Sequence, residues 1–498
     1  MPARHLWLHN RCRAPAGRFL VADNDLRSHP QNTACAICDT PARALGHDFP
    51  GVRRGIIFDG SSSSAGFQPA DAPLGERRAT LRSKEAGGTP ALPRMTSLGV
   101  VSLHARAEHR AMGSSIFDRV VDRTGTGSEK WERYAGRDVL PMWVADMDFE
   151  TAPVVVEALE RRARHGVFGY TVPDKSAREA VAAHCAGRHG WEIDPAWVLF
   201  FPGVNRITAA AVRALTEPGD SILVCTPVYP PLHLAPAGAG RKLVAVPLVR
   251  DSAYRYDIDF DALERDAATA RMLILCSPHN PVGRIWSPAE LQRVAKIADR
   301  HGLVVLSDEI FADLALDSRK HTPFATVSGE GARRVVTGMS ASKTFNLAGL
   351  GCAFAIIPDP DFKRRMRTTM RSVSAPDLNA FAYVGMEAAL RHGEPWRREL
   401  VSYLATNRDA LAAALARDVP EVRMTPIEAT FLAWLDVTAL GLNDPHAFFL
   451  KAGLGLSDGR DFLGPGHVRL NFGCPRATLD EGIRRFTSAV QSLRAEKA

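Results

Sequence analysis

The stretch MSASKTFNLAGLG, residues 339 to 351, places a single lysine, Lys343, just after two serines. A lysine amine that is removed from water becomes a nucleophile and can bind carbonyl compounds covalently. Taken alone, however, a lysine is most often a solvated surface charge. The chemistry therefore depends on which other polar residues the fold brings to the same place.

Short apolar runs bounded by Gly, Pro or Asp predict strands along residues 220 to 358. The runs are DSILVCTP, RKLVAVPL, RMLILCSP, GLVVLSDE, RRVVTGMS and GCAFAIIP. Segments of helical period lie between several of them, such as SPAELQRVAKIADRHG, in which Ser287 can cap a helix and Pro288 takes its first position. Strands that are apolar on both faces and are spaced by helices predict an α/β fold, with a mostly parallel sheet covered on each side.

Polar residues stand where four of these strands end. Tyr229 follows the first run in TPVYPP, Asn280 lies in SPHNP, Asp308 in SDEI and Lys343 in SASK. Ligands bind at the carboxyl ends of strands in an open parallel sheet, so these side chains are expected to meet. Pyridoxal phosphate requires such a set: a lysine for its aldehyde, a carboxylate for the pyridine nitrogen, an amide for the 3'-oxygen and an aromatic ring to stack.

Two further groups fit the anionic parts of this cofactor and of an amino-acid substrate. The Gly-led turn in FPGVNRIT predicts a helix start whose N–H groups, near Val204 and Asn205, can face a phosphate, and Ser340 and Ser342 add hydroxyls. Arg469 lies within an apolar strand, HVRLNFG, where an unpaired guanidinium would be costly. A substrate carboxylate is one partner for Arg469, and a structural salt bridge is the alternative.

The chain resembles a known enzyme family from residue 115 to about residue 495. The motifs, in order, are FDRVVDRTGTGSEKW, LPMWVADMDF, HGVFGYT, TPVYPP, SPHNPVGR, SDEI, SASKTFN, PDLNAFA, TFLAWLD and VRLNFGCPR. They resemble fold-type I pyridoxal-phosphate enzymes of the aspartate aminotransferase superfamily, in the branch of cystathionine β-lyases and other carbon–sulfur lyases. The resemblance implies a three-layer large domain that binds the cofactor, and a smaller α+β domain built from the N- and C-terminal segments.

The resemblance also implies a role for each matched residue. Lys343 would bind the cofactor covalently and act as the catalytic base, Asp308 would pair with the pyridinium, Asn280 would contact the 3'-oxygen, and Tyr229 would stack on the ring. Arg469 and the VADM segment around Asp146 would orient the substrate carboxylate. Tyr170, in HGVFGYT, would reach the phosphate bound by a neighbouring subunit, which implies a homodimer with shared active sites. For Tyr170 alone, core packing is the alternative.

Three positions depart from the family pattern. Phe311 stands where relatives usually have Tyr or His, so one hydrogen bond to the ring oxygen is lost and a raised pKa of the bound lysine–cofactor group is expected. Gly351 stands where the aminotransferases tend to have an arginine, so phosphate binding is expected to depend more on the helix start, the serines and Tyr170. Ser277 replaces a common asparagine, with little consequence expected.

The expected reaction is β-elimination of a thiol from L-cystathionine or a related sulfur amino acid, giving pyruvate and ammonia, within amino-acid metabolism such as methionine biosynthesis. An aminotransferase would use the same residues and is the first alternative. A regulatory or binding protein that keeps the cofactor is the second. The preferred sulfur amino acid does not follow from the motifs.

The charge of the chain is concentrated in its first part. Residues 1 to 111 carry 15 Lys and Arg against 9 Asp and Glu, so they hold most of the formal net charge of +7. The remainder is nearly neutral, and a nucleic-acid partner is not expected. Residues 1 to 111 are also rich in Gly, Pro, Ser and Arg, which predicts a disordered or non-native extension, with Met112 as a candidate start.

The expected domains after this extension are residues 112–160 and 399–498 for the small domain, and 161–398 for the large one. SYLATNRDALAAALARD predicts a helix of the small domain, with FLAWLDV and HVRLNFG as its strands. The eight cysteines are scattered, which indicates reduced thiols in a cytoplasmic protein. Cys35 and Cys38, with His47 nearby, form at most half of a zinc site, so no metal is expected. No run is long enough to span a membrane, and no membrane association is expected.

Overall fold

The computed structural model describes residues 115–373 and 378–497. The predicted N-terminal extension and the CAIC motif lie outside this part of the chain. The thirteen helices that it describes are α1 Glu129–Glu132, α2 Pro153–Arg164, α3 Lys175–His189, α4 Val204–Leu215, α5 Pro230–Gly238, α6 Phe260–Ala267, α7 Pro288–Arg300, α8 Phe324–Val327, α9 Pro360–Ser372, α10 Ala380–His392, α11 Glu394–Asp418, α12 Pro445–Lys451 and α13 Arg476–Lys497.

Fifteen strands are described in the same residues. They are β1 Leu140–Pro141, β2 Val198–Phe201, β3 Ser221–Thr226, β4 Lys242–Pro247, β5 Val249–Arg250, β6 Tyr256–Asp257, β7 Ala270–Cys276, β8 Val304–Asp308, β9 Val335–Met339, β10 Ala353–Ile356, β11 Arg423–Met424, β12 Leu432–Asp436, β13 Leu454–Gly455, β14 Ser457–Asp458 and β15 His467–Asn471. Every predicted strand is therefore present, and β2 is the strand of the large sheet that the sequence analysis missed.

Seven strands form the central sheet in the order β2-β10-β9-β8-β7-β3-β4. The β4, β3, β7, β8 and β9 neighbours pair in parallel, whereas β10 runs antiparallel to both β9 and β2. Alternate residues of β3 face opposite sides: Leu223 and Cys225 pack in one apolar cluster, and Ile222 and Val224 in another. Both faces of the sheet are thus covered, which confirms the three-layer α/β prediction.

Helix α7 shows how local sequence sets the ends of these elements. Ser287 accepts a hydrogen bond from the Glu290 amide, Glu290 returns one to the Ser287 amide, and Pro288 takes the first helical position. This capping box satisfies amide donors that would otherwise lack partners at the helix start. The apolar face of the helix, which includes Leu291 and Val294, is fully buried. The predicted start of this helix is therefore confirmed at the level of single hydrogen bonds.

A second, smaller sheet contains the C-terminal strands in the antiparallel order β11-β12-β15-β14. Helix α11 covers the predicted helical segment, and β12 and β15 are the two predicted strands. Strand β1, from the N-terminal segment, pairs with β13. This pairing joins an N-terminal segment to a C-terminal one, while the two predicted domains and their boundaries at residues 160 and 398 stay predictions. No helix among the described residues is long and apolar enough to cross a bilayer.

Candidate active site

The register of the central sheet brings three polar segments to one edge. Asp308, the last residue of β8, is paired with Cys276 on β7 and with Gly338 on β9. Asn280 follows Cys276 by four residues, and Lys343 follows Gly338 by five. All three segments therefore leave the sheet at its carboxyl edge, where the polar ends of parallel strands form ligand sites.

A cavity of about 300 Å³ lies at this edge. Its lining includes seven of the residues that the sequence analysis selected: Val204, Asn205, Tyr229, Asn280, Asp308, Ser342 and Lys343. Phe311 and Gly351, two of the noted departures, also line it. The volume is at the lower end of the range that small-molecule sites occupy. One cavity thus collects residues from position 145 to position 352 of the sequence.

Lys343 lines the cavity and has no carboxylate partner among the described residues. Its Nζ donates a hydrogen bond to the carbonyl of Ala145 at 2.6 Å. Burial lowers the pKa of this amine to about 8, an effect that the Asp146 charge only partly opposes. The fully buried Lys130 differs, because its Nζ lies 2.6 Å from the Asp148 carboxylate. The half-buried Lys343 is therefore an amine that can lose its proton and act as a nucleophile near neutral pH.

Asp308 is buried and accepts a hydrogen bond from the Ile310 amide at 3.1 Å. Burial raises the pKa of its carboxyl group to about 7. No cation forms an ion pair with Asp308 among the described residues. A cationic partner would favour the charged form of this carboxyl group, and a protonated ring nitrogen in the cavity would supply one.

Arg469 lies on β15 and is also buried. It donates from Nη1 to the Asn280 side-chain oxygen at 3.0 Å and from Nη2 to the Trp143 carbonyl at 3.0 Å, but its buried Nε has no partner. The structural salt bridge that the sequence analysis kept as an alternative is not formed within the described residues. The Asn280 oxygen is occupied by Arg469, which leaves the amide NH₂ of Asn280 to donate to a ligand.

Helix α4 points its N-terminus at the cavity. Gly203 precedes it without a side-chain cap, so the first N–H groups, on Val204 and Asn205, stay available for an anion. Asn205 Nδ2 also donates to the Tyr229 hydroxyl at 3.3 Å. Arg206, on the same turn, lines the cavity and was missed by the sequence analysis. The position of Arg206 just after the glycine-led turn could have identified it as a cavity residue from the sequence.

Four predicted site residues are not part of the cavity lining. One of them is Arg469, whose contacts are given above. Ser340 is not part of the cavity lining, because its hydroxyl donates to the Cys352 carbonyl at 2.6 Å and is hydrogen-bonded to Ser342. Asp146 does not line the cavity either and pairs with Arg123 at 2.7 Å. Tyr170 is fully exposed and makes no contact with the cavity of its own chain.

The donor set fits pyridoxal phosphate. The cavity offers an amine of lowered pKa, a buried carboxylate without a cation, a free amide NH₂ and a helix N-terminus, while the Arg469 guanidinium has a buried nitrogen without a partner. These groups match the aldehyde, the pyridine nitrogen, the 3'-oxygen, the phosphate and a substrate carboxylate, in that order. Lys343, Asp308 and Asn280 are accordingly the residues that would hold the ring.

A buried charged cluster lies just behind this edge, around Asp313. Its carboxylate lies 3.1 Å from His184 Nε2 and 3.1 Å from His189 Nε2, and Arg188 Nε is 3.7 Å away. Burial lowers the pKa of His184, but the Asp313 charge outweighs this effect and raises that pKa above its ordinary value. Burial raises the pKa of Asp313, but His184 outweighs this effect and holds that pKa well below its ordinary value. We interpret this cluster as a buried ion pair that fixes α3 against the segment after β8.

Replacing Asp313 with asparagine is expected to destabilise the fold by about 3–5 kcal/mol, because His184 and His189 would lose the buried carboxylate that both face. Thermal or urea unfolding checks this, with Asp317→Asn as a control that breaks a pair whose carboxylate is exposed and costs less than about 1 kcal/mol. The contribution of Asp313 to the free energy of unfolding should disappear as the pH falls below 3.8, the ordinary pKa of an aspartate. The contribution of His184 should disappear as the pH rises above 6.5 and through the raised pKa of His184. Equal losses in the two variants would contradict the ion pair.

Residues 137–486 match the family described as aminotransferase class I and II. The chain therefore belongs to this family. Cystathionine beta-lyase PatB of Bacillus subtilis is 41% identical over 75% of this chain and 99% of its own length. The solved structure of OvoB is 43% identical, with a TM-score of 0.73, over 76% of this chain and 99% of the other.

A PLP-bound C-S lyase from Staphylococcus hominis is 30% identical, with a TM-score of 0.71. The similarity covers 76% of this chain and 98% of the lyase. The family resemblance inferred from the motifs is thus confirmed, and these relatives carry the same fold over nearly their whole length.

Proposed function

We propose that this protein is a pyridoxal-phosphate-dependent carbon–sulfur β-lyase that converts L-cystathionine or a related sulfur amino acid to a thiol, pyruvate and ammonia. The observation that carries the proposal is the combination of Lys343, a cavity amine of lowered pKa, with Arg469, a buried guanidinium that contacts the cavity residue Asn280 and keeps a nitrogen without a partner among the described residues. The first can move a proton at Cα, and the second can hold a carboxylate. Relatives named as a cystathionine beta-lyase and a C-S lyase support the choice of reaction.

Bound pyridoxal phosphate supplies an aldehyde that captures the substrate amine and a ring that accepts the electron pair from Cα. Arg469 binds the α-carboxylate bidentately, which fixes the substrate with its Cα–H bond towards Lys343. Lys343 Nζ removes this proton. The Cβ–S bond then breaks, and the thiolate leaves with its electron pair. Water completes the products, so that one thiol, one pyruvate and one ammonia form from each substrate.

The other cavity residues would hold the ring in place. Asp308 would keep the pyridine nitrogen protonated, Asn280 would donate to the 3'-oxygen, and Tyr229 would pack against the ring. The N–H groups of Val204 and Asn205 and the Ser342 hydroxyl would bind the phosphate.

The residues outside the cavity would act through others or across a subunit boundary. Ser340 positions Ser342 through their 2.8 Å hydrogen bond. Asp146 acts on the charge of Lys343, whose pKa it raises against the effect of burial. Tyr170 serves the cavity of a second copy of the chain. This last role requires a homodimer, which the exposed apolar side chains of Val167, Phe168, Tyr170 and Val172 support.

A cytoplasmic location is part of the same proposal. The five cysteines in the described residues are free thiols, and all are buried. Free, buried cysteines are typical of proteins from a reducing compartment.

An aminotransferase is the second candidate, favoured by the family to which the chain belongs. Both reactions begin with loss of the Cα proton, but transamination requires an oxo acid as acceptor. With L-cystathionine and no oxo acid, a lyase releases one pyruvate for each thiol, and this is the expected result. Formation of glutamate with 2-oxoglutarate, without pyruvate release in its absence, would establish the aminotransferase instead.

A further inference from the structure

Helix α1 is held against the segment that covers the cavity lysine. The Trp143 indole donates from Nε1 to the Lys130 carbonyl at 3.2 Å, and Lys130 Nζ donates to the Asp146 carbonyl at 3.0 Å. Between these two points lies Ala145, whose carbonyl accepts the hydrogen bond from the cavity lysine. The first residue of this helix, Glu129, therefore lies beside the active-site wall.

The Glu129 carboxylate is exposed and has no cationic partner within the described residues. The neighbouring aspartates at positions 146 and 148 are both ion-paired. Arg133, one turn later on the same helix, does not pair with Glu129, because its guanidinium lies over the Trp143 ring at 4.4 Å. Glu129 is thus a negative charge that remains free for a ligand.

A second polar group beside Glu129 also lacks a partner. The Ser128 hydroxyl is buried, makes no hydrogen bond within the described part of the chain and does not cap α1, although Ser128 precedes the helix. Buried hydroxyls are normally hydrogen-bonded, so this hydroxyl is available to a ligand group that binds beside Glu129.

The charge of Glu129 reaches two groups of the cavity wall. Burial raises the pKa of Tyr229 and lowers that of Lys343, and Glu129 raises both. Tyr229 and Lys343 both line the cavity, whereas Glu129 does not, so the Glu129 charge acts on the cavity from outside its lining. A sulfur substituent that extended out of the cavity on this side would meet the Glu129 carboxylate.

We propose that Glu129, with the Ser128 hydroxyl beside it, binds a cationic amine on the leaving group of the substrate. The inference rests on the proposed lyase function and narrows it to S-substituted cysteines whose thiol portion carries an ammonium group. L-cystathionine has such an amine, and S-(2-aminoethyl)-L-cysteine is the simplest probe of it. From the latter, water and β-elimination give cysteamine, pyruvate and ammonia.

The test compares two substrates of nearly equal size, S-(2-aminoethyl)-L-cysteine and the uncharged S-propyl-L-cysteine, in the holoenzyme. Glu129→Gln is expected to lower kcat/KM for the aminoethyl compound about five- to tenfold and to leave the propyl compound within about twofold. Glu132→Gln, a change of an exposed glutamate on the same helix, is the matched control and should alter neither value.

Substrate binding is measured separately, from the initial change in cofactor absorbance on mixing, before product forms. A selective loss of affinity for the aminoethyl compound in Glu129→Gln supports the subsite whether or not pyruvate appears. If the wild-type protein binds both compounds but releases no pyruvate, the lyase proposal fails. The ratio of the affinities for the aminoethyl and propyl compounds then still decides the role of Glu129. If this ratio is the same in Glu129→Gln as in the wild-type protein, the inference is overturned.

Discussion

Lys343→Ala is expected to lower pyruvate release from L-cystathionine by at least about a thousandfold, since the variant loses both the covalent link to the cofactor and the base at Cα. The fold should survive, because Lys343 makes a hydrogen bond to a carbonyl group but no ion pair. The measurement is the rate of pyruvate formation, together with the visible absorbance of the protein after addition of pyridoxal phosphate.

Lys320→Ala is the control for Lys343→Ala, because Lys320 is exposed and lies outside the cavity. It should retain wild-type activity. Unaltered melting temperatures would show that the loss in Lys343→Ala is chemical. A Lys343→Ala protein that released pyruvate at the wild-type rate would remove Lys343 from the mechanism.

Asp308→Asn is expected to have the second largest effect. A neutral amide cannot balance the charge of a protonated ring nitrogen, and loss of one partner of a buried charge pair costs about 2–5 kcal/mol. This corresponds to a decrease in kcat/KM of about 30-fold to several thousandfold. Because the Asp308 carboxyl is buried with a pKa raised to about 7, its removal should not destabilise the cofactor-free protein.

The comparison that checks this second prediction uses cofactor-free and cofactor-loaded protein. Without cofactor, Asp308→Asn should melt at or above the melting temperature of the wild-type protein. On addition of pyridoxal phosphate, its melting temperature should rise by less than that of the wild-type protein. A variant with wild-type kcat/KM and an undiminished gain in melting temperature would contradict pairing of Asp308 with the ring.

The strand ends were predictable from sequence because two simple patterns coincide there. Apolar runs locate buried parallel strands, and parallel strands place the residues that follow them at one edge. Tyr229, Asn280, Asp308 and Lys343 were selected on this basis, and all four line the cavity. Strand β2 was missed because its apolar run, VLFF, has only four residues and is shorter than the runs that were used to predict the other strands.

The remaining contacts depend on side-chain directions, which short motifs do not contain. Ser340 and Ser342 are equivalent by spacing, but only Ser342 lines the cavity, since the Cys352 carbonyl accepts the Ser340 hydrogen bond. Asp146 seemed available for substrate until Arg123, 23 residues earlier, was found to pair with it. Such partners come from separate elements and are fixed only when the elements pack.

The most direct test of the account is to locate the cofactor on the chain. Pyridoxal phosphate is added to the purified protein, borohydride reduces the lysine–cofactor bond, and mass spectrometry of the digested protein identifies the labelled residue. The account predicts one label per chain, on Lys343, and none on the buried Lys130, whose amine is paired with Asp148. A label on a different lysine, or none, would contradict it.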